Sequence, residues 1–366
     1  MEFRAAILEA TDRPLVIDKV KLERLAPTDV LIRNRASGLC HTDLEVIQGS
    51  LPYPLPIVLG HEGAGVVEEV GSAVTHVRPG DHVIASWNPH CGHCFYCERD
   101  LPILCEPFTR HQPAGHLLDG GSRLSWRGAK LHHFSVVSSH AEYSVVPESG
   151  AIRIPQEMPL DRACLIGCGV MTGVGAVSRL ARVEAGASVV IVGCGAVGLN
   201  AIQGAVLEQA ATLIAIDRDP ARLALAKRLG ATHTLSADEN TITAVQDLTA
   251  GRGADYVFES AGAEASLQLA LEVTRPGGQT VILGKTEVNR KVGLRFGSMM
   301  GEKRIIRSSY GGARPRRDFP WLAQLYLAGK LDLDALISTR APLEGINDGF
   351  AAMRRGEGIR HVITFD

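Results

Sequence analysis

The sequence has little net charge and no long apolar run, and each deficit excludes a class of protein. Its 38 basic and 40 acidic residues leave a net charge of −2, which gives no electrostatic reason to bind nucleic acid or an anionic membrane. No apolar run reaches the roughly 20 residues of a membrane span, and the N-terminus lacks a signal-peptide hydrophobic region. We therefore expect a cytoplasmic protein that acts on a small molecule, without nucleic-acid or membrane partners.

Aromatic residues make up only 5% of the chain, and the eight cysteines do not have the pattern of a disulfide framework. Disulfide-stapled folds belong to short secreted chains, whereas 366 residues suffice for about two domains of ~150 residues each. Four cysteines instead fall within fifteen residues, which indicates a metal site. Thirty-nine glycines exceed the average of about 7% and predict many tight turns and close backbone approaches.

The pattern of strands and helices changes near Thr172. Before it, short β-like runs alternate with Gly and Pro, which indicates a β-rich domain. The weakly periodic stretch 106–139 predicts long loops. After Thr172, strands alternate with helices, which indicates an α/β domain with a parallel sheet. The predicted strands are residues 29–33, 65–70, 81–85, 188–192, 212–217, 254–258 and 279–283, and the tail from residue 318 predicts helix, loop, helix and a strand at 360–365.

One helix has recognisable ends in the sequence. Asp219 is a natural N-cap, and Pro220 suits the first helical turn because its missing N–H has no partner there in any case. Gly230 marks the expected C-terminal end.

The densest cysteine cluster is Cys91, Cys94, Cys97 and Cys105. Four thiolates in one compact loop match a closed, structural Zn²⁺ site. The competing interpretation is an iron–sulfur cluster, but its bacterial pattern has a shorter last spacing and a Pro directly after the last Cys.

Three further segments each place one ligand-type residue in a Gly-flanked turn: Cys40, His61 and Cys168. Two thiolates and an imidazole with one open position form the catalytic arrangement of Zn²⁺. Asp43 would orient the His61 ring from behind.

A glycine-rich turn follows the strand Ser188–Val192 and opens a helix. It reads Gly193-Cys-Gly195-Ala-Val-Gly198, and Asp217 follows Gly198 by nineteen residues at the end of the next strand. This context is the dinucleotide-binding fingerprint, in which glycines let the backbone reach the pyrophosphate. The Asp217 carboxylate would bind the ribose and repel a 2′-phosphate, which favours NAD over NADP, whereas the neighbouring Arg218 could accommodate that phosphate.

Together these elements resemble the zinc-containing medium-chain alcohol dehydrogenases over essentially the whole chain. Residues 119–128 and 131–134 are similar to the extra loop of the long-loop, liver-type or class III-like branch, which includes animal liver-type enzymes and glutathione-dependent formaldehyde dehydrogenases. The resemblance implies a GroES-like, β-rich catalytic domain at residues 1–169 and 310–366. A Rossmann NAD-binding domain with a doubly wound parallel sheet would occupy residues 170–309.

The resemblance also implies roles for individual residues. Cys40, His61 and Cys168 match the catalytic zinc ligands, Glu62 matches a carboxylate that can visit the metal, and Thr42 matches the proton-relay hydroxyl. The expected cofactor contacts are His41, Thr172, Gly193, Gly195, Ala196, Val197, Gly198, Asp217, Arg218 and Arg360. Trp87 and Phe134 match walls of the substrate pocket, and Leu51 lies at its mouth. Residues 304–309 would be the edge that joins a homodimer.

The expected activity is NAD-dependent interconversion of a primary alcohol and its aldehyde, with two zinc ions per chain. An aromatic or allylic alcohol is favoured, because the segment after Gly49 is apolar. The alternative is a glutathione-dependent formaldehyde dehydrogenase, and a remote alternative is a non-enzymatic nucleotide-binding protein. Glu45 stands where many relatives have a His that completes the proton path. The histidines at 111, 116, 132, 133 and 140 are expected in loops or at the surface, the basic run 314–317 on a solvated face, and Cys164 and Cys194 in the core.

Overall fold

The computed structural model describes residues 1–287 and 289–366. These residues form two units, Met1–Cys168 with Arg314–Asp366, and Gly169–Ala313. The strands in the described residues are β1 (Glu2–Leu8), β2 (Val16–Leu22), β3 (Asp29–Gly38), β4 (Ile57–Val58), β5 (Glu62–Val70), β6 (His82–Ala85), β7 (Leu124–Trp126), β8 (Ala129–His133), β9 (Tyr143–Pro147), β10 (Ala151–Arg153), β11 (Ser188–Val192), β12 (Thr212–Asp217), β13 (His233–Ser236), β14 (Ala254–Glu259), β15 (Thr274–Ile282), β16 (Arg304–Arg307), β17 (Ile337–Ala341) and β18 (Arg360–Thr364).

Helices connect these strands and follow the alternation expected from the sequence in the second unit. The α-helices in the described residues are α1 (His41–Ile47), α2 (Glu106–His111), α3 (Leu160–Leu165), α4 (Met171–Gly175), α5 (Ala196–Leu207), α6 (Pro220–Arg228), α7 (Thr241–Leu248), α8 (Glu264–Val273), α9 (Pro315–Leu327) and α10 (Ile346–Arg354). π-Helical turns at Ile166–Val170 and Ala176–Ala181 join α3 and α4 into one helical rod, Leu160–Ala181.

The first unit contains a closed barrel and a mixed sheet. The barrel has the order β1-β2-β7-β8-β4, and the sheet has the order β10-β6-β5-β3-β18-β17 with β9 also paired to β3. The C-terminal strand β18 pairs antiparallel with β3, so the tail completes a sheet begun by the N-terminal half. The carboxyl end of β3 and the start of β5 therefore lie side by side, with Gly38 opposite Glu62.

The second unit is built on a six-stranded parallel sheet with the order β13-β12-β11-β14-β15-β16. This is the strand order of a doubly wound Rossmann sheet. Its core consists of β-branched side chains of β11, β12 and β14, which pack beneath helices α7 and α8. The strand order reverses between β11 and β14, and ligands bind at such a switch point outside the carboxyl ends of the strands.

The ends of α6 confirm the expected capping. The Asp219 side chain accepts a hydrogen bond from the Ala221 N–H, and Pro220 occupies the first helical position. Gly230 follows the helix with φ +111°, a left-handed conformation that other residues rarely adopt.

Two expectations about the first unit are wrong. Residues 106–139 contain helix α2 and the hairpin β7–β8, which closes the barrel. The hairpin turns through Arg127 and Gly128, both at positive φ, and its strands are too short for sequence periodicity to reveal them. The tail also contains strand β17, whose central residues are polar and exposed, so no apolar alternation marks it.

The helical rod Leu160–Ala181 is long and apolar enough to cross a membrane by length and composition, with a mean hydropathy of 1.5. However, 72% of its apolar window is buried inside the protein. Such burial is typical of a core helix, so the rod is weak evidence for a membrane span.

Candidate metal centres and dinucleotide site

The four-cysteine loop (residues 91–105) brings its four sulfur atoms together. The Sγ atoms of Cys91, Cys94, Cys97 and Cys105 all lie within 4.8 Å of one another. Tetrahedral Zn²⁺ with Zn–S bonds of ~2.3 Å separates its sulfurs by about 3.8 Å, and the measured Cys94–Cys97 and Cys91–Cys97 separations are 3.5 and 4.0 Å. Backbone N–H groups of Cys91 and Glu106 point at the sulfurs of Cys105 and Cys94. This donor set fits a structural zinc ion.

The Cys40 centre (Cys40, His61, Glu62 and Cys168) collects its groups from three distant parts of the sequence. Cys40 is the N-cap of α1 after β3, His61 and Glu62 stand at the start of β5, and Cys168 lies in the π-helical turn Ile166–Val170. One ligand atom from each lies within 4.8 Å of the others. Two thiols, an imidazole and a carboxylate fit a zinc site with three tight ligands and one exchangeable position.

Asp43 fixes the geometry around His61, as the sequence predicts. Its buried carboxylate accepts hydrogen bonds from the backbone N–H groups of Cys40 at 3.2 Å and Gly60 at 2.9 Å. The same carboxylate lies 3.3 Å from His61 Nδ1. The His61 ring is therefore held from behind by Nδ1, which leaves Nε2 as the candidate metal-binding atom.

A hydrogen bond joins the thiols of the two cysteines of the Cys40 centre. The hydrogen bond from Cys168 lowers the pKa of Cys40, and the same bond raises the pKa of Cys168, which burial raises further. Paired buried thiols of this kind become two thiolates only when a cation lies between them. The donor chemistry thus fits a divalent metal.

Glu62 forms a buried ion pair with Arg360. The Glu62 Oε1 and Arg360 Nη2 atoms are 3.2 Å apart, and both side chains are almost fully buried. Burial raises the pKa of Glu62 to about 8, although the Arg360 charge opposes that shift. Arg360 projects from β18, so the C-terminal strand supplies the counter-charge of the centre.

Helix α1 carries the candidate relay groups next to Cys40. Thr42 Oγ1 lies 3.9 Å from Cys40 Sγ. Glu45 follows Thr42 by three residues, which places both on one face of the helix. His41, expected to contact the cofactor, is exposed at the first position of the helix.

Aromatic side chains flank the His61 ring on one side. Phe134 is fully buried, and its ring centroid is 5.5 Å from that of His61. Tyr53 packs edge-on against Phe134 at 5.0 Å. Leu51, expected at the pocket mouth, is half-buried against the core cluster that contains Phe134. The structure thus brings Phe134 and Leu51 to the same apolar cluster.

Trp87 has different neighbours. Its ring packs against Phe108 with centroids 6.3 Å apart. It also packs against the apolar cluster on which the four-cysteine loop rests. The described ring contact of Trp87 is therefore on the side of the four-cysteine loop.

The glycine-rich turn of the second unit has the shape that a phosphate group requires. Gly193 has φ +93°, and a Cβ on Gly198 would lie 1.9 Å from the Gly193 carbonyl oxygen. A Cβ on Gly195 would meet nothing within 4 Å, so there is free space beside the backbone of Gly195. Asp217 closes the turn by accepting a hydrogen bond from the Cys194 N–H at 2.6 Å. These features fit a dinucleotide pyrophosphate at the N-terminus of α5.

Four more of the expected cofactor contacts, Thr172, Ala196, Val197 and Arg218, belong to the second unit with this turn. Ala196 and Val197 form the first turn of α5, and Arg218 is exposed beside Asp217. Thr172 lies in α4, which packs closely on α5.

His132 and His133 lie in strand β8, so the expectation of a loop or surface position is wrong for them, whereas His140 lies in a loop, as expected. His133 and His140 are fully buried. Burial lowers the pKa of His133 to about 3 and that of His140 to about 4. Both follow polar or small residues without a period, so the sequence gives no signal of burial. Cys164 and Cys194 are buried, as predicted.

Arg316 and Arg317 of the basic run 314–317 are exposed, as expected, whereas Arg314 is half-buried. Arg314 forms an ion pair with Asp100 of the four-cysteine loop, with Nη2 and Oδ2 2.5 Å apart. A residue of the C-terminal segment therefore tethers this loop within the first unit.

Two cysteine-rich metal centres and a phosphate-binding turn define a zinc- and NAD-dependent oxidoreductase. Comparison with known proteins agrees. The alcohol dehydrogenase GroES-like domain matches residues 26–156, and the zinc-binding dehydrogenase family matches residues 196–328. The S-(hydroxymethyl)glutathione dehydrogenase of Paracoccus denitrificans is 36% identical over 375 residues, covering 100% of both chains.

Solved structures are equally similar. An alcohol dehydrogenase zinc-binding domain protein from Burkholderia ambifaria has a TM-score of 0.95 at 36% identity, covering 100% of this chain and 99% of the other. Benzyl alcohol dehydrogenase from Acinetobacter calcoaceticus has a TM-score of 0.94 at 30% identity, covering 100% of both. The chain belongs to the zinc-containing medium-chain alcohol dehydrogenase family, in a class III-like branch. The expected fold class, enzyme class and cofactors, zinc and NAD, are confirmed.

Proposed function

We propose that the chain interconverts a primary alcohol and its aldehyde at the Cys40 centre. The observation that carries this proposal is the convergence of Cys40, His61 and Cys168 with Asp43 behind the imidazole. Three protein ligands with a fourth, exchangeable position leave room for a substrate oxygen. When bound, Zn²⁺ lowers the pKa of a hydroxyl as it does that of water, and NAD accepts the hydride.

The side chains of α1 move the substrate proton in this proposal. Thr42 Oγ1, beside Cys40, accepts the proton of the alcohol and donates its own to the next group outward. Glu45, one turn further on the same face, takes that proton at its carboxylate. In this proposal Glu62 is the carboxylate that can bind the metal transiently. Its ion pair with Arg360 holds it when it is not bound to the metal.

We assign NAD binding to the turn of the second unit and to its neighbours. Gly193, Gly195 and Gly198 admit the pyrophosphate, with Ala196 and Val197 supplying the helix N-terminus. Asp217 receives the ribose, while Arg218, Thr172, His41 and Arg360 stay as predicted contacts. The Asp217 carboxylate supports NAD over NADP because it repels a 2′-phosphate.

S-(hydroxymethyl)glutathione is the substrate that the curated relatives favour, ahead of the bulky alcohol favoured by the sequence. The relative from Paracoccus denitrificans carries that activity in its name, as does one from Haemophilus influenzae at 37% identity. Formaldehyde oxidation that requires added glutathione would support this substrate.

An aromatic alcohol is the second candidate. The structural relative from Acinetobacter calcoaceticus is a benzyl alcohol dehydrogenase, and Phe134, Tyr53 and Leu51 give this chain an apolar, aromatic wall. Trp87 and Phe134 stay the predicted pocket walls.

A single panel distinguishes the candidates. The purified protein is mixed with NAD or NADP and with formaldehyde plus glutathione, formaldehyde alone, benzyl alcohol, an allylic alcohol or ethanol. NADH absorbance that appears only with the thiol favours S-(hydroxymethyl)glutathione, whereas benzyl alcohol turnover without thiol favours the aromatic substrate. Absence of NADH with every substrate would contradict the proposed function.

We further propose a cytoplasmic homodimer. Strand β16 ends the parallel sheet, and an edge strand offers unpaired backbone groups to a second chain. Ile305 on β16 is an exposed apolar side chain, as are Phe296 and Met300 in the segment that precedes this strand. All eight cysteines are free, as a reducing compartment would keep them. Light scattering on the wild type and on Ile305→Lys tests the dimer, which the charge should weaken.

A further inference from the structure

His140 is a buried histidine that belongs to neither proposed ligand set. It lies between β8 and β9, and its side chain has no exposed surface. Its ring packs edge-on against Phe350 with centroids 5.8 Å apart. A fully buried imidazole normally has hydrogen-bond partners, so the groups that face each of its two ring nitrogens need to be identified.

The Nδ1 atom of His140 faces a pair of serines. Ser37 Oγ lies 2.9 Å from this nitrogen and 2.7 Å from Ser139 Oγ. A chain in which Ser139 donates to Ser37, and Ser37 donates to Nδ1, uses each hydroxyl proton once. This chain makes Nδ1 the acceptor and places the ring proton on Nε2.

The Nε2 atom of His140 faces the carboxylate that orients His61. It lies 3.8 Å from Asp43 Oδ1, and within the described residues it has no hydrogen-bond partner. That separation exceeds a hydrogen bond, so the contact is electrostatic. An Nε2 lone pair in this place would repel the carboxylate, whereas an Nε2–H attracts it. The Asp43 carboxylate and the serine pair therefore favour the same tautomer of His140, in which the ring proton is on Nε2.

The backbone around His140 also touches the residue before His61. The His140 N–H donates to the Leu59 carbonyl oxygen at 3.0 Å, and the Ser139 N–H donates to that of Gly60 at 2.9 Å. A Cβ on Gly60 would lie 2.6 Å from His140 Nδ1. The ring thus packs directly on the segment that presents His61.

We propose that His140 is a positioning residue whose Nε2–H holds the Asp43 carboxylate against Nδ1 of His61. This inference rests on the proposed function, in which His61 is a zinc ligand. Removal of the Nε2–H would let Asp43 relax from His61, and the imidazole would bind the metal less tightly. The four-cysteine loop lies outside this network and serves as an internal control.

Three variants of the full-length zinc-loaded protein test the proposal. His140→Phe keeps a ring of similar size and removes both nitrogens. His140→Gln keeps an amide N–H near the Nε2 position, and Ser37→Ala removes only the partner of Nδ1. Each is exposed to a chromogenic chelator, and the two phases of zinc release are followed together with kcat and KM. Thermal unfolding is recorded for every variant.

We expect His140→Phe to release the zinc of the Cys40 centre about tenfold faster, by analogy with other groups that support metal ligands. Release from the four-cysteine loop should not change. His140→Gln should restore release to near the wild-type rate, and Ser37→Ala should fall between the two. A weakly held zinc ion affects the reacting centre more than substrate binding. In His140→Phe we therefore expect kcat to fall by a larger factor than KM rises.

Two results would overturn the proposal. One is a folded His140→Phe that releases zinc at the wild-type rate. The other is a His140→Gln that loses zinc as fast as His140→Phe with an equal loss of thermal stability, because that would reduce His140 to a packing residue. Failure of the proposed function would look different, since the wild type itself would then release only the zinc of the four-cysteine loop.

Discussion

The four-cysteine loop takes all of its candidate ligands from residues 91–105, whereas the Cys40 centre takes its groups from the ends of two strands and from a helical turn. The loop is partly exposed, and its sulfurs receive backbone N–H groups from within or beside the loop. The Cys40 centre is buried and is held by charged side chains, Asp43 and Arg360. A local site is thus organised largely by its metal, and a dispersed one by the surrounding fold.

Cys168→Ser should produce the largest effect, on activity. It removes one thiolate of the Cys40 centre, and a hydroxyl binds zinc poorly. We expect turnover to be abolished and zinc to fall to the ion of the four-cysteine loop, while NAD binding stays largely intact. Metal analysis, NADH absorbance and NAD titration measure the three quantities.

The control for this variant is Cys164→Ser, because Cys164 is buried but has no proposed ligand role. It should keep both zinc ions. A Cys168→Ser protein that stays fully active would show that Cys168 is not a ligand.

Cys97→Ser should act on folding rather than on chemistry. Structural zinc contributes on the order of 10 kcal/mol to local folding, and Cys97 is one of the four candidate ligands of this loop. We expect loss of one zinc ion and protease cleavage within residues 91–105, with residual turnover at the intact Cys40 centre. Limited proteolysis followed by mass spectrometry locates the cut. Cleavage elsewhere first would contradict a local role for this metal.

Asp43→Asn should have a smaller but still large effect. The amide keeps the shape of the side chain but places an N–H against the N–H donors of Cys40 and Gly60 and weakens the contact with His61. We expect zinc affinity at the Cys40 centre to fall about 10- to 100-fold, with unchanged affinity in the four-cysteine loop. Chelator competition that resolves the two ions gives this ratio. Equal weakening at both sites would show a global effect on the fold instead.

The same contrast explains what could be predicted from the sequence. The four-cysteine loop, the glycine turn and Asp217 are identified by spacing, because each is formed by neighbouring residues. Cys40, His61 and Cys168 stand in three separate turns, so their residue types suggest a three-ligand zinc site, but no spacing shows that the three turns meet. The resemblance to a family supports that joint role. The ion pair of Glu62 with Arg360 and the burial of His140 depend on β18 and on the segment before β9 reaching the site. No local pattern records such long-range contacts.

Arg314→Ala should have the smallest effect and tests the support of the four-cysteine loop. Arg314 reaches Asp100 from the C-terminal segment, but the two side chains are 37% and 73% exposed. Exposed ion pairs contribute only about 0–1 kcal/mol, less at high salt. We expect zinc release from this loop to accelerate no more than about fivefold, an effect that 1 M salt should largely remove.

Chelator-driven zinc release at low and high salt measures this effect, with Arg317→Ala as a neighbouring charge control. Arg317 pairs with the buried Asp318 of its own helix and acts on Asp100 of the loop only through its nearby charge, so Arg317→Ala removes a charge near the loop but leaves the Arg314–Asp100 ion pair in place. If Arg314→Ala lost this zinc ion altogether, as expected for Cys97→Ser, the loop would depend on a long-range tether. The contrast between a metal-organised and a fold-organised centre would then fail, because both centres would need residues distant in sequence to keep their shape.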